Sequence, residues 1–237
     1  MSLPSISPEL LRAGDNRFLS RFVPSLGISL SEMDYLRGWR DDFLGLAIHE
    51  QYTAVSGVGS GGGLASVHGG VYVLAAGAAA GAYHHLWLGN AADGYATLDA
   101  DLGWVMMANF NVSQTTSIAG DFGARDAASN NIIRAGLNTT VVAANWSIVT
   151  RTGGGAINSV DSGIPADINR HWHVLNVYPI TGGLRQVDYS LDGTQIATTI
   201  VSVPTIVLTP IVTIYAVLAA ARAMGLDFLG VIPRNLA

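Results

Sequence analysis

The 237-residue sequence contains no cysteine and no lysine, and its only glutamates are Glu9, Glu32 and Glu50. Without cysteine there can be no disulfide, thiolate nucleophile or Cys-ligated zinc. Without lysine, Schiff-base chemistry and a phosphate-gripping P-loop are excluded. Charge of either sign is scarce. Charged residues make up 12% of the chain, about half of the roughly 25% usual in soluble domains. The net charge is only −5, and the twelve arginines are scattered along the sequence. No surface that would neutralise a phosphate backbone is expected, and so no nucleic-acid partner. With 49% hydrophobic residues, so little charge implies that surface is buried against other chains or meets lipid.

Lipid is the weaker of these two implications. Residues 196–221 carry no charge and are numerous enough to span a bilayer. They include Pro204 and Pro210 and are crowded with Thr, Val and Ile, a composition that breaks helices and favours strands. A strand ending before Pro204, a connection, and a second strand from Ile211 fit better, so no membrane partner is expected.

Helical signals are confined to residues 1–40. Ser7 precedes Pro8, which suits a first helical position, and opens a short helix to Arg12. A weaker start lies near Ser31, with a helix reaching about Trp39. This segment is read as an N-terminal arm, and residues 41–237 as one β-domain. From Asp41 onward, short apolar or alternating runs are separated by Gly, Asn, Asp and Ser clusters. Thirteen strands are expected, among them Tyr83–Leu88, Gly103–Phe110, Ser117–Phe122, Thr140–Val142 and Trp172–Tyr178. Gly57 to Gly63 reads as a flexible loop. Val187, Tyr189 and Leu191 alternate with polar residues, and Asp192-Gly193 follows as a type I′ hairpin turn. So many short strands imply an all-β, two-sheet antiparallel sandwich.

The order of motifs then resembles a known family. Asp41-Asp42-Phe43-Leu44-Gly45 is followed by Gly69-Gly70-Val71-Tyr72-Val73-Leu74, Trp104 and Phe122-Gly123-Ala124-Arg125. Asn145-Trp146-Ser147-Ile148-Val149-Thr150-Arg151, His171-Trp172-His173 and the Tyr189–Ala197 hairpin come next, and Leu226-Asp227-Phe228 closes the series. This set is similar to the concanavalin A-like, laminin-G-like jelly rolls of phage virion structural proteins. The resemblance implies a jelly-roll fold over residues 41–232 and a chain that assembles as a homotrimer or larger oligomer on other virion proteins.

Candidate chemistry is sparse. A glycosidase of related fold would show a Glu-x-Asp-x-(x)-Glu strand. Glu32-Met33-Asp34 begins that spacing, but Leu36 and Arg37 stand where the second glutamate belongs. Asp99-Ala100-Asp101 supplies two of the six or more oxygens that calcium needs. His171 and His173 share one side of a strand without a visible third ligand. Gly57-x-Gly59-x-x-Gly62 matches a dinucleotide fingerprint in letters alone, since no helix pattern follows it. No catalytic residue, metal or cofactor is therefore expected. The expected function is a non-enzymatic virion structural subunit, for example a capsid decoration, located in the virion. The alternative is a glycan-binding tail or fibre module, with Trp87, Trp104 and Tyr95 as candidate glycan or interface aromatics.

Overall fold

The computed structural model describes residues 39–41, 52–65, 70–88, 98–142 and 144–233. Sixteen strands occur among them. They are β1 (Trp39–Asp41), β2 (Tyr52–Ser56), β3 (Gly61–Ala65), β4 (Val71–Ala76), β5 (Tyr83–Leu88), β6 (Leu98–Asp99), β7 (Trp104–Val112) and β8 (Ile118–Arg125). β9 (Ile132–Asn138), β10 (Asn145–Arg151), β11 (Asn158–Pro165), β12 (His171–Pro179), β13 (Arg185–Leu191), β14 (Thr194–Thr199), β15 (Val207–Ala216) and β16 (Arg222–Pro233) follow. The expected helix at Ser7–Arg12 lies outside the described residues, as does the one near Ser31, except that Trp39 opens β1.

Two eight-stranded sheets face each other. The first runs β14-β13-β12-β7-β16-β4-β3, with β1 also paired to β16. The second runs β11-β10-β9-β8-β15-β5-β2, with β6 also paired to β15. Every pairing is antiparallel. Alternation along each strand fills the space between the sheets. Trp104, Met106, Ala108 and Phe110 of β7 meet Phe122, Leu137, Trp146, Val212 and Ile214 of the second sheet in one core cluster.

The Asp192-Gly193 turn is as expected, with φ of 48° and 88° at its two central residues and Leu191 paired to Thr194. Pro210 does not end a strand, although the sequence placed a connection before Ile211. It sits within β15, between the stretch paired to β6 at Val207–Leu208 and the stretch paired to β5 from Ile211. A proline is tolerated where the ladder has a partner on one side only.

Two local expectations fail. Gly57–Gly63 is not all loop, because a turn at Val58–Gly59 leads into β3. An edge ladder to β4 needs only backbone groups, which glycines supply as well as any residue. Thr140–Val142 is a turn rather than a strand. The backbone N–H groups of Val141 and Val142 both donate to the carbonyl of Asn138, and Asn138 Oδ1 accepts from the Thr140 hydroxyl and N–H.

Candidate functional site

Residues paired directly across an antiparallel sheet point to the same side, so register alone assembles rows of side chains. On the outer face of the second sheet, one row reads Thr53, Trp87, Ile211, Gly123, Arg134, Val149. The next reads Val55, His85, Thr213, Asp121, Gly136, Ser147, Asp161. Tyr83, Tyr215, Ala119 and Asn138 form the row beyond it. On the opposite flank lie Thr209, Arg125, Ile132 and Arg151.

This face is polar but sunken. Asp121 is 1% exposed, and Thr213, Asn138 and Ser147 are buried with it. Asp121 Oδ1 accepts from Arg134 Nη1 at 3.1 Å, and its Oδ2 accepts from Asn138 Nδ2 at 3.4 Å. Burial pushes the Asp121 carboxyl above the usual range, against the pull of Arg134 and Arg125. Gly123 and Gly136 have φ of 149° and 144°. A Cβ at Gly123 would lie 2.2 Å from the Ile133 carbonyl oxygen, and one at Gly136 2.5 Å from that of Gly120. These glycines let β8 and β9 close up, which brings Arg134 against Asp121.

Aromatic rings flank the charges. Tyr83 stacks on His85 with centroids 4.5 Å apart, and the edge of His85 meets Trp87. His85 Nδ1 is hydrogen-bonded to the Thr213 hydroxyl. Burial, then Arg125 and Arg134, hold the His85 pKa at about 3, so the ring is neutral at physiological pH. Arg125 lies over Trp87, its guanidinium carbon 4.6 Å from the ring centroid. Burial and Arg134 lower its pKa to about 10, which leaves it charged.

The aromatics singled out in the sequence fall differently. Trp104 is 0% exposed in the core between the sheets, and Trp87 is 3% exposed on the outer face beneath Arg125. Tyr95 lies outside the described residues. His171 and His173 do share a side, with ring centroids 6.2 Å apart, but each is engaged elsewhere. His171 bridges Asp192 and Asp167, and His173 bonds the Tyr189 hydroxyl in the core. Among the described residues no group of three metal-ligating side chains converges.

The sequence reading gave no role to Asp121, Arg125, Arg134 or Asn138, and weighed His85 only with His84 as a candidate metal ligand. A signal existed in Asp121-Phe122-Gly123-Ala124-Arg125 and Arg134-Ala135-Gly136-Leu137-Asn138, which alternate apolar residues with polar ones or glycine. The arginines scattered in sequence are gathered by register.

No family model and no curated protein matches the chain. Solved structures do. A β-glucanase of Bacillus licheniformis superposes with a TM-score of 0.58 at 10% identity, over 83% of this chain and 98% of that one. The carbohydrate recognition domain of Emp47p gives 0.54 at 9%, over 84% and 95%. An immunostimulatory antigen and pseudo β-1,3-glucanase of Mycobacterium tuberculosis gives 0.54 at 12%, over 82% and 98%. Nothing among these likenesses connects the chain to a virion. They overturn the expected non-enzymatic virion structural role, because the fold is shared with glucanases and a carbohydrate recognition domain. Part of the apolar surplus is buried within the single chain. Val105, Met107, Val174 and Ile232, on the outer face of the first sheet, are each at most 1% exposed within a single chain. At these identities the likeness establishes the fold, and the chain is an all-β, two-sheet antiparallel jelly-roll sandwich of the concanavalin-like type.

Proposed function

We propose that this is a carbohydrate-active sandwich that binds a glycan across the outer face of its second sheet. The observation that carries the reading is the row pattern itself. Half-buried Tyr83 and Tyr215 are paired neighbours in the row that continues through Ala119 to Asn138, with Asp121 in the adjoining row, which sets aromatic surface and hydrogen-bonding groups of fixed orientation on one face. Sugars present apolar C–H faces and ringed hydroxyls, and a site of this composition meets both. The carbohydrate-active proteins that share the fold support the choice. A glycan array followed by calorimetry on the full chain tests it. Binding that falls at least tenfold in Tyr83→Ala is expected, and a chain that retains no glycan on the array would dismiss the reading.

Hydrolysis is a second reading, favoured by the glucanase likenesses and by the raised carboxyl of Asp121. A general acid needs such a shift. A retaining mechanism also needs a second carboxyl about 5–5.5 Å away. Asp121 is the one carboxylate that the described part of β8 and β9 supplies to this face, while Glu9, Glu32 and Glu50 lie outside the described residues. Reducing ends released from β-glucans by the wild type but not by Asp121→Asn would establish it. The absence of release from every glucan on which the chain binds would leave binding alone.

A further inference from the structure

Among the described residues, the outer face of the second sheet has more positive charge than its own carboxylates answer. Arg125 and Arg151 share one row, and Arg134 stands in the next, directly opposite Gly123. Arg125 and Arg134 are thus diagonal neighbours on adjacent strands, roughly 7–8 Å apart at the backbone and within reach of two long side chains. Arg134 is paired with Asp121 through Nη1, yet its Nε is buried without a hydrogen-bond partner. Arg125 has no ion pair among the described residues, and its Nε is also buried and unpartnered. Both side chains stay partly exposed at this face, so two neighbouring guanidinium groups, one of them without a carboxylate partner, are presented to a ligand.

The nearby carboxylates do not fill the need. Asp126 adjoins Arg125 in sequence, but its two oxygens accept from the Asn130 N–H and from Asn131 Nδ2. Asp161 lies three strands from Arg125, where Asn145 Nδ2 and the Gly163 N–H hold it. Arg151 is occupied by the carbonyls of Gly154, Gly155 and Ser129. His85 contributes a neutral ring, and so adds no competing charge of either sign.

We propose that Arg125 and Arg134 form an oxyanion-reading site on this face, and that the saccharide bound there carries a carboxylate or a sulfate group. The inference rests on the glycan-binding reading above and narrows it to acidic glycans. A guanidinium offers a planar fork of N–H donors that matches the oxygens of a carboxylate or sulfate two at a time. Trp87 acts as a shelf beneath Arg125, holding the fork in place before ligand arrives. Asp121 fixes Arg134 in the same way. A neutral glucan would leave the surplus charge unanswered.

The test is calorimetry of the full chain with three probes: an oligogalacturonate, a sulfated dextran oligosaccharide and a neutral laminarin oligosaccharide. An acidic probe is expected to bind and the neutral one to bind at least tenfold more weakly. The choice between carboxylate and sulfate is read from which acidic probe wins. Arg125→Gln should weaken the acidic probe roughly ten- to a hundredfold, the loss expected for a charge-assisted hydrogen bond. Arg125→Lys should recover only part of it, since the charge stays and the fork is lost. Arg125 is the variant of choice because removing Arg134 would strand the buried Asp121, and a melting curve confirms that the variant is folded. Equal binding of neutral and acidic probes would overturn the oxyanion site while leaving glycan binding intact. Acidic binding that ignores both Arg125 variants would overturn it too, and a chain that binds none of the probes or the array glycans would remove both readings.

Discussion

The two outer faces of this sandwich are built by the same alternation and are buried to similar degrees, yet they carry opposite chemistry. On the first sheet, Val105, Met107, Val174 and Ile232 form an apolar floor, with Trp172 against Phe228 at a centroid distance of 5.2 Å. On the second, the equivalent central positions hold Asp121, Arg134, Thr213 and His85. Burial of apolar side chains stabilises a fold at roughly 25 cal/mol per Å². Burial of an aspartate, two arginines and a histidine does not, because each loses hydration that its partners only partly restore. The first face is accordingly the more stabilising of the two, and the second, where the proposed glycan site lies, carries buried charge at a cost in stability.

Substitution can break that contrast. Met107→Asp places an unpaired carboxylate among Val105, Val174 and Ile232 and should cost at least about 4 kcal/mol, the range reserved for buried unpaired charge. Urea denaturation measures it, and a loss under about 1 kcal/mol would show that the first face is not an apolar floor. On the second face, Asp121→Ala strands Arg134 and should cost about 3 kcal/mol. The double variant Asp121→Ala with Arg134→Met should regain most of that loss, since a buried ion pair is replaceable by apolar packing. A double variant no more stable than the single would mean that the pair contributes net stability and that the contrast is overstated.

A smaller difference sharpens it. The first sheet has polar side chains too: Asn109 and Asn176 lie among the apolar residues of its outer face, and toward one edge Asp188 accepts from the Tyr178 hydroxyl and from Gln186, Gln195 and Thr198. Both carboxylate oxygens of Asp188 are satisfied by these internal bonds. Tyr178→Phe should cost about 1 kcal/mol, one hydrogen bond's worth, and leave glycan binding unchanged. A fall in binding would move the site to the first sheet.

Much of the fold was legible because strand patterns are local. Tyr83–Leu88 was bounded correctly, and Asp192-Gly193 announced its turn through a dipeptide that tolerates positive φ. β11 was not legible, since Asn-Ser-Val-Asp-Ser-Gly-Ile-Pro has little of the apolar alternation that marks a strand. As an edge strand packed mainly on β10, it needs little. The site was illegible for a different reason. Thr213 and His85 are 128 residues apart in sequence, and they meet only because Thr213 pairs with His85 and Asp121 at once. The alternation on β8 and on β9 can be read from the sequence, but the register that sets Arg134 opposite Gly123 cannot. Composition is blind in the same way, since it counts residues without saying which faces they tile.

The smallest expected effect separates two histidines on one strand. Burial alone would lower the pKa of His171, but the hydrogen bonds its ring donates to the carboxylates of Asp192 and Asp167 outweigh it and raise the value above 6.5. Burial, then the neighbouring His171, drives His173 the other way. For His171, whose folded pKa is raised, the stabilisation is complete below pH 6.5 and is lost as pH climbs through the raised value. For His173, whose folded pKa is depressed, stabilisation is complete above pH 6.5 and declines as pH falls below it. Asp167 and Asp192 are each about half exposed, so solvent screening keeps the His171 contribution small. Melting temperatures of wild type and His171→Asn across pH 5.5 to 8.5 should therefore diverge most at the acidic end and converge at the basic end. Divergence that grows toward pH 8.5 instead would mean that His171 is held neutral, with Asp192 and Asp167 serving the backbone of Trp172 and Asn169 rather than the imidazole.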